Sequence, residues 1–476
     1  MATRRRQTIF MQSKTQRTRA PSTRFFLDRP RDFPARLKAA DPPPCGWRGR
    51  STRIPPPPAS SKHMIKLIRN ATVFDGNSAE LLEGFDLVLE GDRIVDLGRH
   101  LKANAEVQID LAGRVLLPGL IDAHVHVYAV ELNLTQTMRR PFSYVAHYAA
   151  RFLKHMLDTG FTTVRDVGGA DAGLAHALKD GLLTGSRLVY GGRVLSQTGG
   201  HADWRPGHEH DPSCTPCGCG LIDQRLSVIA DGVDEVTKAV REELRRGASH
   251  IKFVASGGVA SPSDPVDSMQ YSPEEIAAIV AETARHGSYA AAHCHPNAAI
   301  RLCAELGVRS IEHATLVDAP TAQLMKKMGT FAVPTLAVIE SLKRYGAEFG
   351  LPPASQAKLA TIANCAQGGL ENLRDAGVSI GFGTDLIGPL YTRNLSEFAL
   401  RSEVFTPVEI LRQATSINAS LLQRTGELGC IAPGALADLV AVDGDPLRDI
   451  GVMSRGPAGM PLVMKGGGIV RNLLTP

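Results

Sequence analysis

Residues 116–127 read LLPGLIDAHVHV, an apolar run that ends in His124-Val125-His126. On an extended backbone residues i and i+2 face the same side, so both imidazoles can reach one metal ion. In a chain with 15 His a lone His-x-His is weak evidence. The Pro-Gly-Leu-Ile-Asp string before it is far more specific. The same construction recurs downstream. Lys252 lies inside His250-Ile251-Lys252-Phe253-Val254, and His293 and His295 close the run that starts at Tyr289. His313 ends Ser310-Ile311-Glu312-His313, and Asp385 follows Ile380-Gly381-Phe382-Gly383-Thr384. A lysine within a buried strand is costly unless it is paired or modified. Any one of these groups can be an ordinary core or cap residue; the set, at successive strand ends, points to a site.

Those runs belong to a longer alternation. Strands are expected at Val115–Leu117, Thr162–Asp166, Leu188–Gly191, His250–Val254, Tyr289–His293, Ser310–His313, Thr330–Val333 and Val378–Gly383. Helical patterns lie between most of them, such as Pro273–His286 after the cap Ser272, and Asn297–Leu306. Strands alternating with helices over residues 117–425 predict an α/β fold, a (β/α)8 TIM-type barrel whose active site sits at the C-terminal strand ends. A doubly wound open sheet is the alternative, weakened because no GxGxxG follows the first strand. Both chain ends read instead as short strands and turns. Lys66–Phe74, Asp86–Glu90 and Arg93–Leu97 form a meander with a tight turn at Gly91-Asp92, and Gly434–Asp443 and Pro461–Asn472 read alike. Residues 64–116 and 426–476 are therefore expected to build one small β-sandwich domain.

With these motifs in place, the chain resembles the amidohydrolase superfamily, in the binuclear branch of Xaa-Pro dipeptidase-like enzymes, carboxypeptidase-like dipeptidases and ochratoxinase-type amidases. The carrying strings are PGLIDAHVHV, TTVRDVGG (162–169), IKFVASGGVASPSD (251–264), AAHCHPNAAI (291–300), SIEHA (310–314), GFGTD (381–385) and ADLVAVDGDPL (437–447). The resemblance implies that His124, His126 and Asp385 hold the more buried of two divalent metal ions, and His293 and His313 the more exposed one. Lys252, carboxylated on its amine, would bridge them. Asp385 would also act as general base and then acid. Single-metal relatives, including imidazolonepropionase-like enzymes, lack that lysine. Zinc is the expected metal, with manganese and cobalt open. The resemblance further implies a homo-oligomer.

Other candidates are secondary. His295 points the same way as His293 and is read as a substrate contact in the catalytic set. Tyr271, before the Pro273 helix, can donate to a developing oxyanion or be a packed loop aromatic. Arg165, at the end of the second strand, can pair internally, the preferred reading, or clamp a substrate carboxylate. His201 after Gly199-Gly200 and Arg393 after the eighth strand are further substrate-binding candidates. Cys214, Cys217 and Cys219, with His208 and His210 nearby, make a cysteine-rich insertion with three thiols where a closed structural zinc site normally has four ligands.

Composition sets the outer limits. Residues 1–63 carry 15 Lys and Arg against 3 Asp and Glu, with 10 of the 30 prolines. This basic, Pro-rich tail is read as disordered, and as lying outside the fold. The remaining 38 Lys and Arg are outnumbered by 45 Asp and Glu, so charge gives no support to a nucleic-acid partner. No apolar run of about 18 residues predicts a membrane span. Scattered single cysteines fit a reducing, cytoplasmic location. The expected activity is hydrolysis of an amide bond in a small-molecule substrate, a dipeptide or N-acyl amino acid with a free carboxylate. The alternatives are a cyclic amide (lactam) or ester hydrolase on the same metal centre, and a non-catalytic barrel, which would be expected to have lost some ligands.

Overall fold

The computed structural model describes residues 64–205, 226–261 and 264–474. The tail 1–63 and the Cys214, Cys217, Cys219 insertion with His208 and His210 lie outside the described residues. Among the described residues the strands are, in chain order, β1 (Ile65–Val73), β2 (Leu82–Glu90), β3 (Arg93–Gly98), β4 (Val107–Asp110), β5 (Val115–Pro118), β6 (Leu120–Val125), β7 (Phe161–Asp166), β8 (Arg187–Tyr190), β9 (Val194–Ser196), β10 (Ser227–Ile229), β11 (Ile251–Val254), β12 (Ala290–Cys294), β13 (Ser310–His313), β14 (Phe331–Val333), β15 (Leu439–Val442), β16 (Leu462–Lys465) and β17 (Gly468–Asn472).

Both chain ends do fold together. Alternating apolar residues in β1, β2, β5 and β15 need a common face to bury, and Ile68, Leu87, Leu89, Leu116, Leu439 and Leu462 are fully buried in one cluster. Gly91 takes the positive φ of 59° that the β2–β3 turn requires. The strands run in the order β17-β16-β15-β5-β1-β2-β3, with β4 also on β1. Hydrogen bonding thus joins all eight into one mixed sheet, where two separate layers were expected. β5 is the joint: it runs parallel to β1 (Thr72 opposite Val115) and antiparallel to β15 (Leu117 opposite Val440). Residues 115–117 are therefore part of this end sheet and not the first strand of the α/β region. That strand is β6, which starts beyond Pro118-Gly119.

The α/β region carries parallel strands in two sheets, β6-β7-β8 and β10-β9-β11-β12-β13-β14. Every residue of β6, β7 and β11–β14 is buried, as strands covered on both faces must be. Residues 378–383 form only a parallel bridge, Ile380 to Ala332, rather than the expected strand. The segment still lies between the two sheets: Gly381 N donates to Ala332 O (2.8 Å), and Ala123 N donates to Phe382 O (2.8 Å). The arrangement is TIM-barrel-like, with parallel strands and intervening helices, but among the described residues its ladder is not closed. Short β9 and β10 are additions that the sequence pattern did not show.

The helices begin where capping chemistry places them. Ser272 Oγ accepts from Glu275 N (3.3 Å) while Glu275 accepts from Ser272 N (2.7 Å), a capping box worth about 1 kcal/mol. The helix Pro273–Arg285 follows and buries Ile276, Ile279 and Thr283. The helix Asn297–Glu305 matches its expected span to within one residue. No helix among the described residues is long and apolar enough to cross a membrane.

Candidate active site

The C-terminal ends of β6, β11, β12 and β13 converge with Asp385 on one cleft. Its lining includes His126, His201, Lys252, His293, His295, His313 and Asp385. The cleft encloses about 1020 Å³, its opening to solvent included. His124 lies beneath, fully buried in β6. Its ring centroid is 5.4 Å from that of His126 and 4.9 Å from that of His313. The His293 centroid is 4.6 Å from that of His313, 4.8 Å from that of His295 and 4.3 Å from that of His201. One carboxylate sits among them: Asp385 Oδ1 is 3.4 Å from His124 Nε2 and 3.6 Å from His126 Nε2.

Hydrogen bonds on the far side of each ring decide which nitrogen faces inward. His126 Nδ1 is 2.9 Å from the Gly168 carbonyl, so it carries the proton and Nε2 is left with its lone pair. His124 Nδ1 is 2.8 Å from the Glu312 carboxylate, with the same result. For His293 the order reverses, since Nε2 meets the Gly257 carbonyl at 3.2 Å and Nδ1 is left over. Nδ1 of His295 is held by the Thr315 hydroxyl (3.0 Å), and that of His313 by the Thr335 hydroxyl (2.8 Å). Orienting a ligand ring through its outer nitrogen is what metal sites require.

No ion accompanies the protein in this structure, but the donors fit one. His124 Nε2 is buried with no hydrogen-bond partner among the described residues, an arrangement that is costly for a protein atom and natural for a metal ligand. Ligand atoms of His124, His313 and Asp385 lie within 4.8 Å of one another. Burial lowers the His126 imidazole to about 4 and that of His295 to about 3, and holds His293 and His313 well below the usual range. All four are therefore neutral at pH 7, the state that can ligate. Burial pushes the Asp385 carboxyl up, but the neighbouring His124 outweighs it and holds the group below its ordinary value; the same pairing raises the His124 imidazole against its own burial, so His124 gives up its Nε2 proton when it ligates. Burial also draws the Lys252 amine down to about 8 against the opposing pull of Glu312 and Asp385.

A buried polar scaffold supports the donors. Arg165 is wholly buried: Nη2 lies 2.8 and 2.9 Å from the two Glu312 oxygens, Nη1 donates to Ser310 Oγ (3.1 Å), and Nε donates to the Ala123 carbonyl (2.5 Å). Glu312 therefore joins Arg165 in β7 to His124 in β6. Asp122 accepts from His124 N (3.0 Å) and from Thr384 Oγ1 (2.6 Å), tying β6 to the segment that carries Asp385. Asp166 accepts from Val127 N, Gly168 N and Ala170 N, which fixes the turns beyond β6 and β7. His313 (φ 71°) and Asp385 (φ 53°) both adopt left-handed backbone, a strain of about 1–3 kcal/mol each that clusters at functional sites.

Three candidates fall elsewhere. Arg165 has no free face for a substrate carboxylate, since its guanidinium is sealed in the pair with Glu312; the internal role is the observed one. Arg393 stacks over the Tyr345 ring, 3.7 Å from its centroid, and is not in the cleft lining. Tyr271 is also outside the lining; its ring packs toward Phe253 and its buried hydroxyl lies in the field of Glu275, Asp231 and Glu235. His201 does line the cleft, with Nδ1 2.9 Å from Ser261 Oγ and 3.6 Å from Asp264. Sequence reading missed Glu312, Asp122, Thr335, Ser261 and Asp264. A signal existed for Glu312, a carboxylate inside an apolar strand, by the same logic that singled out Lys252.

Comparison with known proteins gives the family. An ochratoxinase of Aspergillus niger is 35% identical over 367 residues, 74% of this chain and 75% of that protein. A solved prolidase structure, complexed with N-methylphosphonate-L-proline, is 42% identical with a TM-score of 0.83, covering 86% of this chain and 100% of that one. An imidazolonepropionase of Streptomyces griseus is 26% identical over 400 residues, 80% of this chain and 91% of that protein. The amidohydrolase family model matches residues 115–470, and these findings together establish that the chain belongs to the amidohydrolase family and is a hydrolase acting on C–N bonds.

Proposed function

We propose that the protein is a binuclear metal-dependent amidohydrolase that cleaves the amide bond of a dipeptide or N-acyl amino acid bearing a free carboxylate. The observation that carries this reading is the ring of inward-facing donors around Asp385, each oriented from behind, with Lys252 in the same cleft. His124, His126 and Asp385 would hold one ion and His293 and His313 the other. Lys252, buried and with a lowered amine, would add CO2 to its free-base form with loss of a proton and supply a shared carbamate. When bound, a pair of zinc ions supplies carbonyl polarisation and an acidified water. Asp385 takes the proton from the attacking water and returns it to the leaving nitrogen as the C–N bond breaks. His295 stands in the cleft to contact the scissile group.

With Arg165 and Arg393 removed from consideration, His201 becomes the polar group on the wall that receives the substrate carboxylate. Burial raises the Asp264 carboxyl, but its hydrogen bond to His201 prevails and leaves it well below the carboxylate range, so an anion stands beside Nδ1. To receive a carboxylate His201 must donate, which it does from Nε2–H in the tautomer whose Nδ1 accepts from the Ser261 hydroxyl. The sheet built from both chain ends serves as the second domain of this enzyme. A cytoplasmic homo-oligomer completes the reading.

The imidazolonepropionase relative favours a second reading, a cyclic-amide hydrolase. Lys252 weighs against it, because single-metal relatives of that kind lack the lysine. A hydrolysis screen of zinc-reconstituted protein against dipeptides, N-acyl amino acids and lactams, read by amine release, separates the two. Linear substrates are expected to turn over; cleavage of lactams alone would move the assignment to the second reading.

A further inference from the structure

Lys358 is not in the cleft lining, but its helix is. The helix Pro353–Ala363 gives Leu359 and Ile362 to the cleft. The Lys358 side chain is only 16% exposed. Its Nζ donates to the carbonyls of Gly258 (3.1 Å) and Ser261 (3.0 Å) and to Ser261 Oγ (3.3 Å). Holding so long a side chain in one geometry costs entropy, and here all three bonds go to one short loop. That loop reaches His201. Ser261 Oγ is 2.9 Å from His201 Nδ1, and a Cβ on Gly258 would lie 2.6 Å from His201 Nε2.

The Ser261 hydroxyl has one hydrogen and two places for it. It can go to the Gly258 carbonyl at 3.3 Å or to His201 Nδ1 at 2.9 Å. In the first arrangement the neutral ring carries its proton on Nδ1, and Nε2 offers only a lone pair. In the second Nδ1 accepts, and Nε2–H is free to donate. Asp264 favours the first, since its carboxylate lies 3.6 Å from Nδ1. Lys358 favours the second in two ways. An ammonium only donates, so it occupies the Gly258 carbonyl and a lone pair of Ser261 Oγ and turns the hydroxyl hydrogen toward the ring. It also lies 3.7 Å from Asp264 Oδ1, while Gly258 N (3.1 Å) and Gln270 Nε2 (3.2 Å) donate to Oδ2. The carboxylate is thus compensated without a proton from His201. We propose that Lys358 is a positioning residue for substrate binding: through Ser261 it keeps the His201 proton on Nε2, where it meets the substrate carboxylate. The inference rests on the reading above that His201 receives that carboxylate.

The test compares N-acetyl-L-alanine with N-acetyl-L-alaninamide, which lacks the carboxylate, on the full zinc-loaded protein. The parent should prefer the first. In Lys358→Met the ratio of the two kcat/KM values should fall about tenfold, the contribution of a hydrogen bond to a charged group, and it should fall through KM rather than kcat. A merely structural lysine would lower both substrates together and leave the ratio as it was. Ser261→Ala should lower the ratio alike, and Lys358→Met should lower it no further in that background. A parent that prefers the carboxylate, with an unchanged ratio in Lys358→Met or with losses that multiply in the double variant, overturns the inference. A parent without the preference overturns the His201 reading and the inference with it. Binding of both compounds is followed in parallel by tryptophan fluorescence, since the Trp204 ring centroid lies 5.7 Å from that of His201. A carboxylate preference in binding that Lys358→Met abolishes, with no amide turned over, would keep the Lys358 inference and overturn the hydrolase reading.

Discussion

Removing the buried cation Arg165 is expected to cost the fold more than any surface charge. Arg165 and Glu312 are both fully buried, and the guanidinium meets the carboxylate through two bonds of 2.8 and 2.9 Å. Arg165→Leu leaves Glu312 ionised in the core with only Ser310 and His124 as partners. Breaking one side of such a pair costs about 3–5 kcal/mol. Glu312→Leu strands Arg165 by a similar amount. The double variant strands neither charge and loses chiefly the His124 Nδ1–H partner, about 1–3 kcal/mol. The double should therefore be more stable than the sum of the singles predicts, by about 3 kcal/mol or more. Urea unfolding of metal-free protein, with m compared across the four proteins, measures this coupling. An Arg165→Leu loss below about 1 kcal/mol, or additivity within about 0.5 kcal/mol, would refute the reasoning.

Other outcomes follow from the same geometry. Asp385→Asn should abolish turnover while the fold and most of the metal are kept; retained turnover would remove Asp385 as proton carrier. Gly258→Ala should lower both metal content and activity, because a Cβ there would lie 2.6 Å from His201 Nε2 and 2.7 Å from His293 Nε2; unchanged metal content would show that the rings have room to move. Crystals grown with metal should show carbamate density on Lys252 Nζ, and an unmodified, salt-bridged amine would end its bridging role. Glu282 is held at about 2, below its ordinary 4.5, first by the hydrogen bond from Arg241. A depressed carboxyl stabilises above the unfolded value and loses that contribution as pH falls through 4.5 toward 2. Thermal midpoints of Glu282→Gln should therefore lie below the parent at pH 7 and converge with it near pH 2; parallel curves would contradict the pairing.

How far the sequence carried the account can be seen in particular residues. His124, His126, Lys252, His293, His295, His313 and Asp385 were legible because each interrupts or follows an apolar run, Lys252 from within its strand and the others at or just past the end of theirs, and such runs share one mouth in a fold of this kind. The first strand of the α/β region was misplaced for a physical reason. Residues 115–117 and 120–123 are both apolar runs, and only their partners, β15 and the segment at Phe382, tell them apart. Partners also explain the arginines. Arg165 and Arg393 show their charge in the sequence, but Glu312 and Tyr345 lie far along the chain. Tyr271 kept two readings because a loop tyrosine has no periodicity to say which way its ring turns; the ring packs toward Phe253, the second of them. Glu312 lay within a quoted motif and went unassigned, although a carboxylate between Ile311 and His313 poses the same burial problem as Lys252.

The central claim is a two-metal amidohydrolase, and a zinc titration of apoprotein tests it most directly. Hydrolysis of an N-acyl amino acid is followed as zinc is added in sub-stoichiometric steps. The account predicts no activity in the apoprotein and a rise that breaks at two equivalents per chain. Full activity without metal, or a plateau at one equivalent, would contradict it.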